Sequence, residues 1–211
     1  MNKVIRMNDT PGTADALLHA ARQLFARHGY DGTSVRAITR AAGANLGAIT
    51  YHYASKRDLY EAVIAAAMAP SRERLARAAQ TPGTPLDRIE AVVREFFAFL
   101  HDTPDLPSLM MQQLIGERPL AKAALATVAA NMGTLAALIA EGQHAGTIRP
   151  GDPRLLALSI GSQPIWLTAA RRVLREGVSI DPADPATRGE LVDSVVGFVR
   201  AGLVAHSEKP R

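Results

Sequence analysis

Along nearly the whole chain the apolar residues recur every three or four positions, and no stretch sustains the period-two alternation of a half-buried strand. Over residues 13–28, Leu17, Ala21, Leu24, Phe25 and His28 form one stripe, while Arg22 and Arg27 fall off it. That pattern predicts a helix, and Gly29 stops it. Two short helices follow over 35–42 and 46–53, then a longer one over 56–79. The stretch Thr81-Pro82-Gly83-Thr84-Pro85 is the clearest break. Beyond it Ile89, Val92, Val93, Phe96 and Leu100 share a face of a helix over 87–101, and a short helix is expected over 106–116. Leu125, Val128, Met132, Leu135 and Ile139 mark a helix over 122–142. Asp152-Pro153 supplies an N-cap and a first-turn proline for a helix running to 176, with a kink expected at Pro164. A last helix is expected over 184–206. The fold class is all-α: a flexible arm at 1–12, a three-helix segment at 13–60, and a larger helical domain at 61–211.

The most specific chemistry lies in residues 33–56, TSVRAITRAAGANLGAITYHYASK. Ser34 (or Thr33) is placed to cap a short helix whose inner face is Val35, Ile38 and Ala41/Ala42. Gly43 supplies the positive φ of a sharp turn, and Asn45 is suited to cap the next helix. In that second helix Ile49 and Tyr53 face inward, leaving Leu46, Gly47, Ala48, Thr50, Tyr51 and His52 outward. Two short helices joined by a tight glycine turn form a helix-turn-helix, whose second member enters the DNA major groove. Gly47 and Ala48 are slim enough for deep entry, and Ala48 is a candidate for a thymine methyl. Thr50, Tyr51 and His52 offer donors to phosphates. Ser55-Lys56-Arg57-Asp58 resembles a capping box and leaves Lys56 as a phosphate clamp. Arg36 is placed for bidentate bonds to a guanine.

This segment resembles the DNA-binding domain of TetR-type transcriptional regulators. The resemblance rests on Phe25, Gly29, Tyr30, Thr33, Ile38, Ala41-Ala42-Gly43, Gly47, Ile49, Tyr51-His52-Tyr53, Ser55-Lys56 and Leu59, in one uninterrupted frame. It implies a palindromic double-stranded operator, a homodimer, and release by a small-molecule effector bound in the C-terminal helical domain. It also implies contacts to DNA from Thr33, Arg36, Gly47, Tyr51, His52 and Lys56. Leu46 stands where the family often has lysine, and Thr50 where it often has an aromatic residue, so the operator sequence does not carry over. Tyr53 replaces a more usual phenylalanine.

Charge agrees with this division. Residues 1–60 hold eight Lys or Arg against four Asp, whereas 61–211 hold sixteen basic and sixteen acidic residues, so the net +4 lies wholly in the N-terminal segment. With no cysteine, thiolate metal sites and a cysteine nucleophile are excluded. The six histidines show no metal-ligand spacing, no phosphate-binding or nucleophile-elbow motif occurs, and no cofactor is expected. An enzyme acting on the bound ligand is the rival from another class, an architectural DNA protein a second, and an activator of the same fold a third. The first residues lack a signal-peptide core, and the apolar run 155–170 is short for a membrane span, so a cytoplasmic protein without membrane contact is expected.

In the C-terminal domain Phe96, Phe99, Met110, Gln113, Met132 and Trp166 are the ligand-lining candidates for a largely apolar effector, with Gln112, His101 and Gln163 beside them. For each residue taken singly, a place in the core is the stronger expectation. Leu155, Leu158, Gly161 and Ile165 form one candidate dimer seam, and Leu191, Val195, Phe198, Val199 and Gly202 another.

Overall fold

The computed structural model describes residues 12–115 and 119–205, and it is helical throughout apart from one isolated antiparallel bridge between Ile148 and Val204. The chain divides into two compact units, Met1–Ala66 and Ala67–Arg211. Residues 1–11 of the expected arm and 206–211 lie outside the described residues; Gly12 is already helical.

The first unit is built from α1 (Gly12–His28), α2 (Val35–Ala41), α3 (Gly47–Tyr53) and the start of α4 (Lys56–Ala78). Its core takes Leu17, Ala21 and Phe25 from α1, Ile38 from α2, Ala48 and Ile49 from α3, and Leu59, Tyr60, Val63 and Ile64 from α4. Phe25 anchors it, with its ring 4.9 Å from Tyr60 edge-on and 5.9 Å from Tyr30 in a stacked arrangement. The expected inner face of α2 is partly corrected. Ala41 is exposed, and Thr39 is buried in its place because its hydroxyl donates to the Val35 carbonyl at 3.1 Å, which satisfies it inside the helix.

The second unit contains the rest of α4, then α5 (Pro85–Asp102), α6 (Leu106–Ile115), α7 (Lys122–His144), α8 (Pro153–Ala169), α9 (Arg171–Gly177) and α10 (Pro185–Leu203). Helix α5 is central and packs on α7, α8 and α10. Thr84 and Asp87 cap it reciprocally, and Ile89, Val92, Val93, Phe96, Phe99 and Leu100 are buried along it. Buried Asn131 donates to Ser71 at 3.0 Å, so this polar pair satisfies itself between α7 and α4. The helix expected over 153–176 is two helices. Pro164 lies buried inside α8, and the break comes at Ala170, whose φ of −82° and ψ of 10° leave the helical region. Of the described helices, α7 is the one long and apolar enough to cross a membrane, not the 155–170 run. Its Leu135, Leu138 and Ile139 are buried within this unit.

Candidate functional site

The turn between α2 and α3 sets the geometry of the first candidate site. Gly43 adopts φ +63°, the left-handed conformation that a Cβ disfavours. Its N–H donates to the Arg40 carbonyl at 3.2 Å, and the Ala44 N–H reaches back to the Thr39 carbonyl at 2.9 Å. These are the paired bonds of a Schellman motif, which satisfies the last carbonyls of α2 and swings the chain into α3. Ser34 caps the other end of α2, its hydroxyl accepting from the Ala37 N–H at 3.1 Å. The cap is therefore Ser34. Thr33 is turned inward at 2% exposure and donates to the Gly29 carbonyl at 2.7 Å, so its hydroxyl is spent within the protein.

Helix α3 presents two stripes. Ala48, Ile49 and Tyr53 face the unit's interior and His52 is half-buried at the margin, whereas Leu46, Gly47, Thr50 and Tyr51 are exposed, Leu46 at 56% and Tyr51 at 58%. This corrects the expectation for Ala48, which is 3% exposed. A 3.6-residue period carries position 48 round with 49 and 52, so a helix that buries Ile49 and Tyr53 also turns Ala48 inward. His52 is half-buried, its ring 4.8 Å from that of Tyr51. Tyr53 is also half-buried; its hydroxyl donates to the Ala14 carbonyl at 2.9 Å and pins α3 to α1. Burial, reinforced by Asp15, pushes that phenol above its ordinary value. Asn45 does not cap α3 through its side chain: Leu46 occupies the cap position with no side-chain bond.

Around this stripe stand three further expected residues. Arg36 is exposed near the start of α2, with no ion pair among the described residues. Ser55 accepts from the Asp58 N–H at 3.1 Å and donates to its carboxylate at 2.5 Å, which opens α4. Lys56 follows, its ammonium 4.1 Å from the centre of the Tyr30 ring, a cation–π contact that fixes its direction. Between α3 and α4, Ala54 holds φ +58° and ψ −45°, and Ser55 N–H donates to the Tyr53 carbonyl at 2.6 Å across it. This is a γ-turn, uncommon for a residue with a side chain.

Residues 17–63 match the family of bacterial regulatory proteins of the tetR type, and residues 85–199 match the tetracyclin repressor-like C-terminal domain. The chain belongs to the TetR family. That family is one of bacterial regulatory proteins. The transcriptional repressor AcnR of Corynebacterium efficiens is 40% identical over 65 residues, 31% of each chain. The repressor BepR of Brucella suis is 34% identical over 68 residues, 32% of each. The chain thus matches about a third of the length of these relatives. Among solved structures, a tetR-family regulatory protein from Rhodococcus RHA1 superposes with TM-score 0.76 at 21% identity, covering 94% of this chain and 100% of that one. FadR of Bacillus subtilis, in complex with stearoyl-CoA, superposes with TM-score 0.73 at 20% identity, over 89% and 98%.

In this TetR-family regulator the second candidate site is a cavity of about 1140 Å³ inside the second unit, between the end of α5, the α8–α9 junction and the start of α10. None of the six ligand-lining candidates from the sequence borders it. Phe96 and Phe99 point into the core, and their neighbour Phe97 lines the cavity instead. Met132 packs on α8, where a Cβ at Gly161 would lie 2.5 Å from its Cε. Gln113 accepts from the Ala121 N–H at 3.0 Å, Met110 is half-buried on α6, and Trp166 is 58% exposed. His101 does border the cavity. Sequence reading missed Arg94, Arg171, Arg172, Arg175 and Arg188, which line it. The cluster at 171–175, closing an apolar run, was the available signal.

The candidate dimer seams divide. Leu155, Leu158 and Phe198 are exposed, as is Gly202, whereas Gly161, Val195 and Val199 are buried within the chain.

Proposed function

We propose that this chain represses transcription in the cytoplasm by binding a palindromic operator as a homodimer, and that it lets go when a small molecule occupies the second unit. The outward stripe of α3 carries the reading. Leu46, Gly47, Thr50 and Tyr51 form an edge slim at Gly47 and rich in donors at Thr50 and Tyr51, the shape and chemistry a major groove accepts. Ser34, Arg36, Asn45, His52 and Lys56 flank that edge. Lys56 clamps a phosphate, and Arg36 reads a guanine.

Two such edges must sit about 34 Å apart to enter successive major grooves, so the proposal requires a second copy. Exposed Leu155 and Leu158 on α8 and Phe198 on α10 are the apolar surface offered to it. AcnR and BepR are repressors by name and resemble this chain over 65 and 68 residues, which supports the sign of regulation. FadR holds stearoyl-CoA on the same fold, which supports a ligand in the second unit. The effector binds the form whose reading helices are wrongly spaced, so the population shifts off DNA.

Selecting bound sequences from a random duplex pool tests this. The expected winner is a palindrome, preferred over random duplex by on the order of 10³ at fixed salt. Binding that ignores sequence overturns the proposal.

A further inference from the structure

We infer that the cavity of the second unit is an anion site, taking an amphiphile with an apolar body and a carboxylate or phosphate head. The inference rests on the proposal that the second unit houses the effector, and it narrows that effector's chemistry from largely apolar to amphiphilic and negatively charged.

The cavity wall concentrates charge that the unit as a whole does not have. Five arginines line it, Arg94 from α5, Arg171, Arg172 and Arg175 from α9, and Arg188 from α10, against three aspartates, Asp102, Asp181 and Asp193. That is an excess of two positive charges in a region, 61–211, whose basic and acidic residues balance. Local pairing sharpens the excess. Arg94 is held by Asp193 at 2.6 Å, and Asp102 is committed to Arg74 at 2.8 Å. Arg172 and Arg175 share the single carboxylate of Glu176, at 3.1 and 3.4 Å. Asp181 accepts from the Ala183 N–H at 3.0 Å. Arg188 donates to the Pro182 carbonyl at 3.4 Å and lies near enough to the Asp184 carboxylate to help lower its pKa, while that carboxylate is engaged by the Thr187 N–H at 2.7 Å. Arg171 has no ion pair among the described residues. Arg171 therefore lines this space without a counter-charge, and Arg172 and Arg175 have one carboxylate between them.

Guanidinium groups gathered in this way repel one another until an anion enters. Their planar forks match carboxylate and phosphate oxygens bidentately, and they stay protonated at any physiological pH. The rest of the wall sets the body of the ligand. Phe97 and Leu100 from α5, Leu167 from α8, and Leu191 and Val192 from α10 supply an apolar surface opposite a cationic one. A simple inorganic ion would leave that surface wet, and a neutral hydrocarbon would leave the arginines unmatched. A volume of about 1140 Å³ is at the upper end of small-molecule sites and too confined for a macromolecule.

The test is calorimetric titration of the full chain with decanoate, decyl phosphate, decan-1-ol and decyltrimethylammonium, each below its micelle concentration. At least one of the two anions is expected to bind tenfold or more tighter than decan-1-ol, and the two together separate a carboxylate preference from a phosphate preference. The double variant Arg171→Gln/Arg188→Gln is expected to lose at least tenfold in anion affinity and none for the alcohol. Arg171→Gln alone, at an exposed position without an ion pair, keeps the test available should the double variant fold poorly, and is expected to lose at least threefold. Equal binding of alcohol and anion, no anion binding, or anion binding indifferent to these substitutions overturns the inference. Measuring affinity for the selected operator in the same samples separates the two proposals. An anion bound through these arginines without effect on DNA overturns the regulatory reading alone. A compound that releases DNA equally from wild type and double variant overturns the anion site alone.

Discussion

The two units of this chain carry their candidate sites in opposite ways. In the first, the site is a convex edge made by one seven-residue helix and the residues beside it, and the family model of the bacterial regulatory proteins matches residues 17–63 across it. In the second, the site is a hollow lined by residues from three stretches of chain, 94–104, 167–175 and 181–193, the first far from the other two in sequence. There a separate family model matches, the tetracyclin repressor-like C-terminal domain over residues 85–199. The contrast has a physical origin. B-DNA offers every reader the same groove, so slim residues, donors and a tight turn must recur at fixed offsets along one helix. A ligand hollow needs only concavity and matched chemistry, which many combinations of side chains on a common helical frame supply.

The units also carry separate reporters. All four tyrosines, Tyr30, Tyr51, Tyr53 and Tyr60, lie in the first, and the single tryptophan, Trp166, lies in the second. The largest expected effect uses both. Phe25→Ala removes the fully buried ring that Tyr30 and Tyr60 pack against, and truncating a buried phenylalanine costs about 3–5 kcal/mol. In thermal denaturation the tyrosine signal is expected to melt far earlier, with the Trp166 transition unmoved. If both transitions fall together, the units form one cooperative block and the contrast between them is not thermodynamic.

Periodicity located the described helices to within a few residues because their buried faces are long and their ends are marked by Ser34, Gly43, Thr84 and Asp152. It failed at 153–176, where proline at 164 drew attention from Ala170, whose departure from the helix has no signature in residue type. Within the reading helix, treating position 48 as outward while burying 49 and 53 contradicted the period itself. In the second unit, apolar residues are the ones whose type suggests a pocket. The arginines carry no such mark because, in one dimension, a charged residue after an apolar helix reads as a solvated end. Only packing shows that Arg94, Arg171 and Arg188 face one space.

An intermediate effect separates reading from gripping within the first unit. Arg36→Ala is expected to cost roughly 1–3 kcal/mol of discrimination at one base position of the selected operator, as a bidentate base contact would. Lys56→Ala is expected to weaken all sequences alike and lower the salt slope by about 1. The check is binding to operator and point-mutated operator across a salt series. A uniform loss from Arg36→Ala would move that residue to the phosphate contacts. Neither variant should change decanoate affinity in the second unit.

A smaller effect concerns the pin between α3 and α1. Tyr53→Phe deletes the bond to the Ala14 carbonyl, and a hydrogen bond of this kind contributes about 1 kcal/mol. Because the folded phenol is raised above its ordinary value, its contribution is fully present below about pH 10, the unfolded value. It is lost as pH rises through the folded value. The wild type is therefore expected to exceed Tyr53→Phe in stability at neutral pH, with the difference closing in alkali. A constant difference across that range would mean that the hydroxyl does not titrate with folding.

The smallest expected effect compares one backbone feature across both units. Ala54 in the first and Ser179 in the second are the described residues other than glycine at positive φ, each at +58°. Such positions cost of order 1–3 kcal/mol when a Cβ is present. Glycine removes that strain but gives back about 0.5–1 kcal/mol through the freer unfolded chain. A net gain of about 0.5 kcal/mol is expected at each site, read at different reporters. Ala54→Gly should raise the tyrosine transition and Ser179→Gly the Trp166 transition, neither moving the other. Function should separate them further. Ala54 joins the reading helix to Lys56 across a single γ-turn, so a looser turn there costs operator affinity even as the unit gains stability. Ser179→Gly, outside that linkage, should leave operator affinity intact. A stabilised Ala54→Gly that binds operator as well as wild type would show that the strained turn is incidental to placing the two DNA contacts.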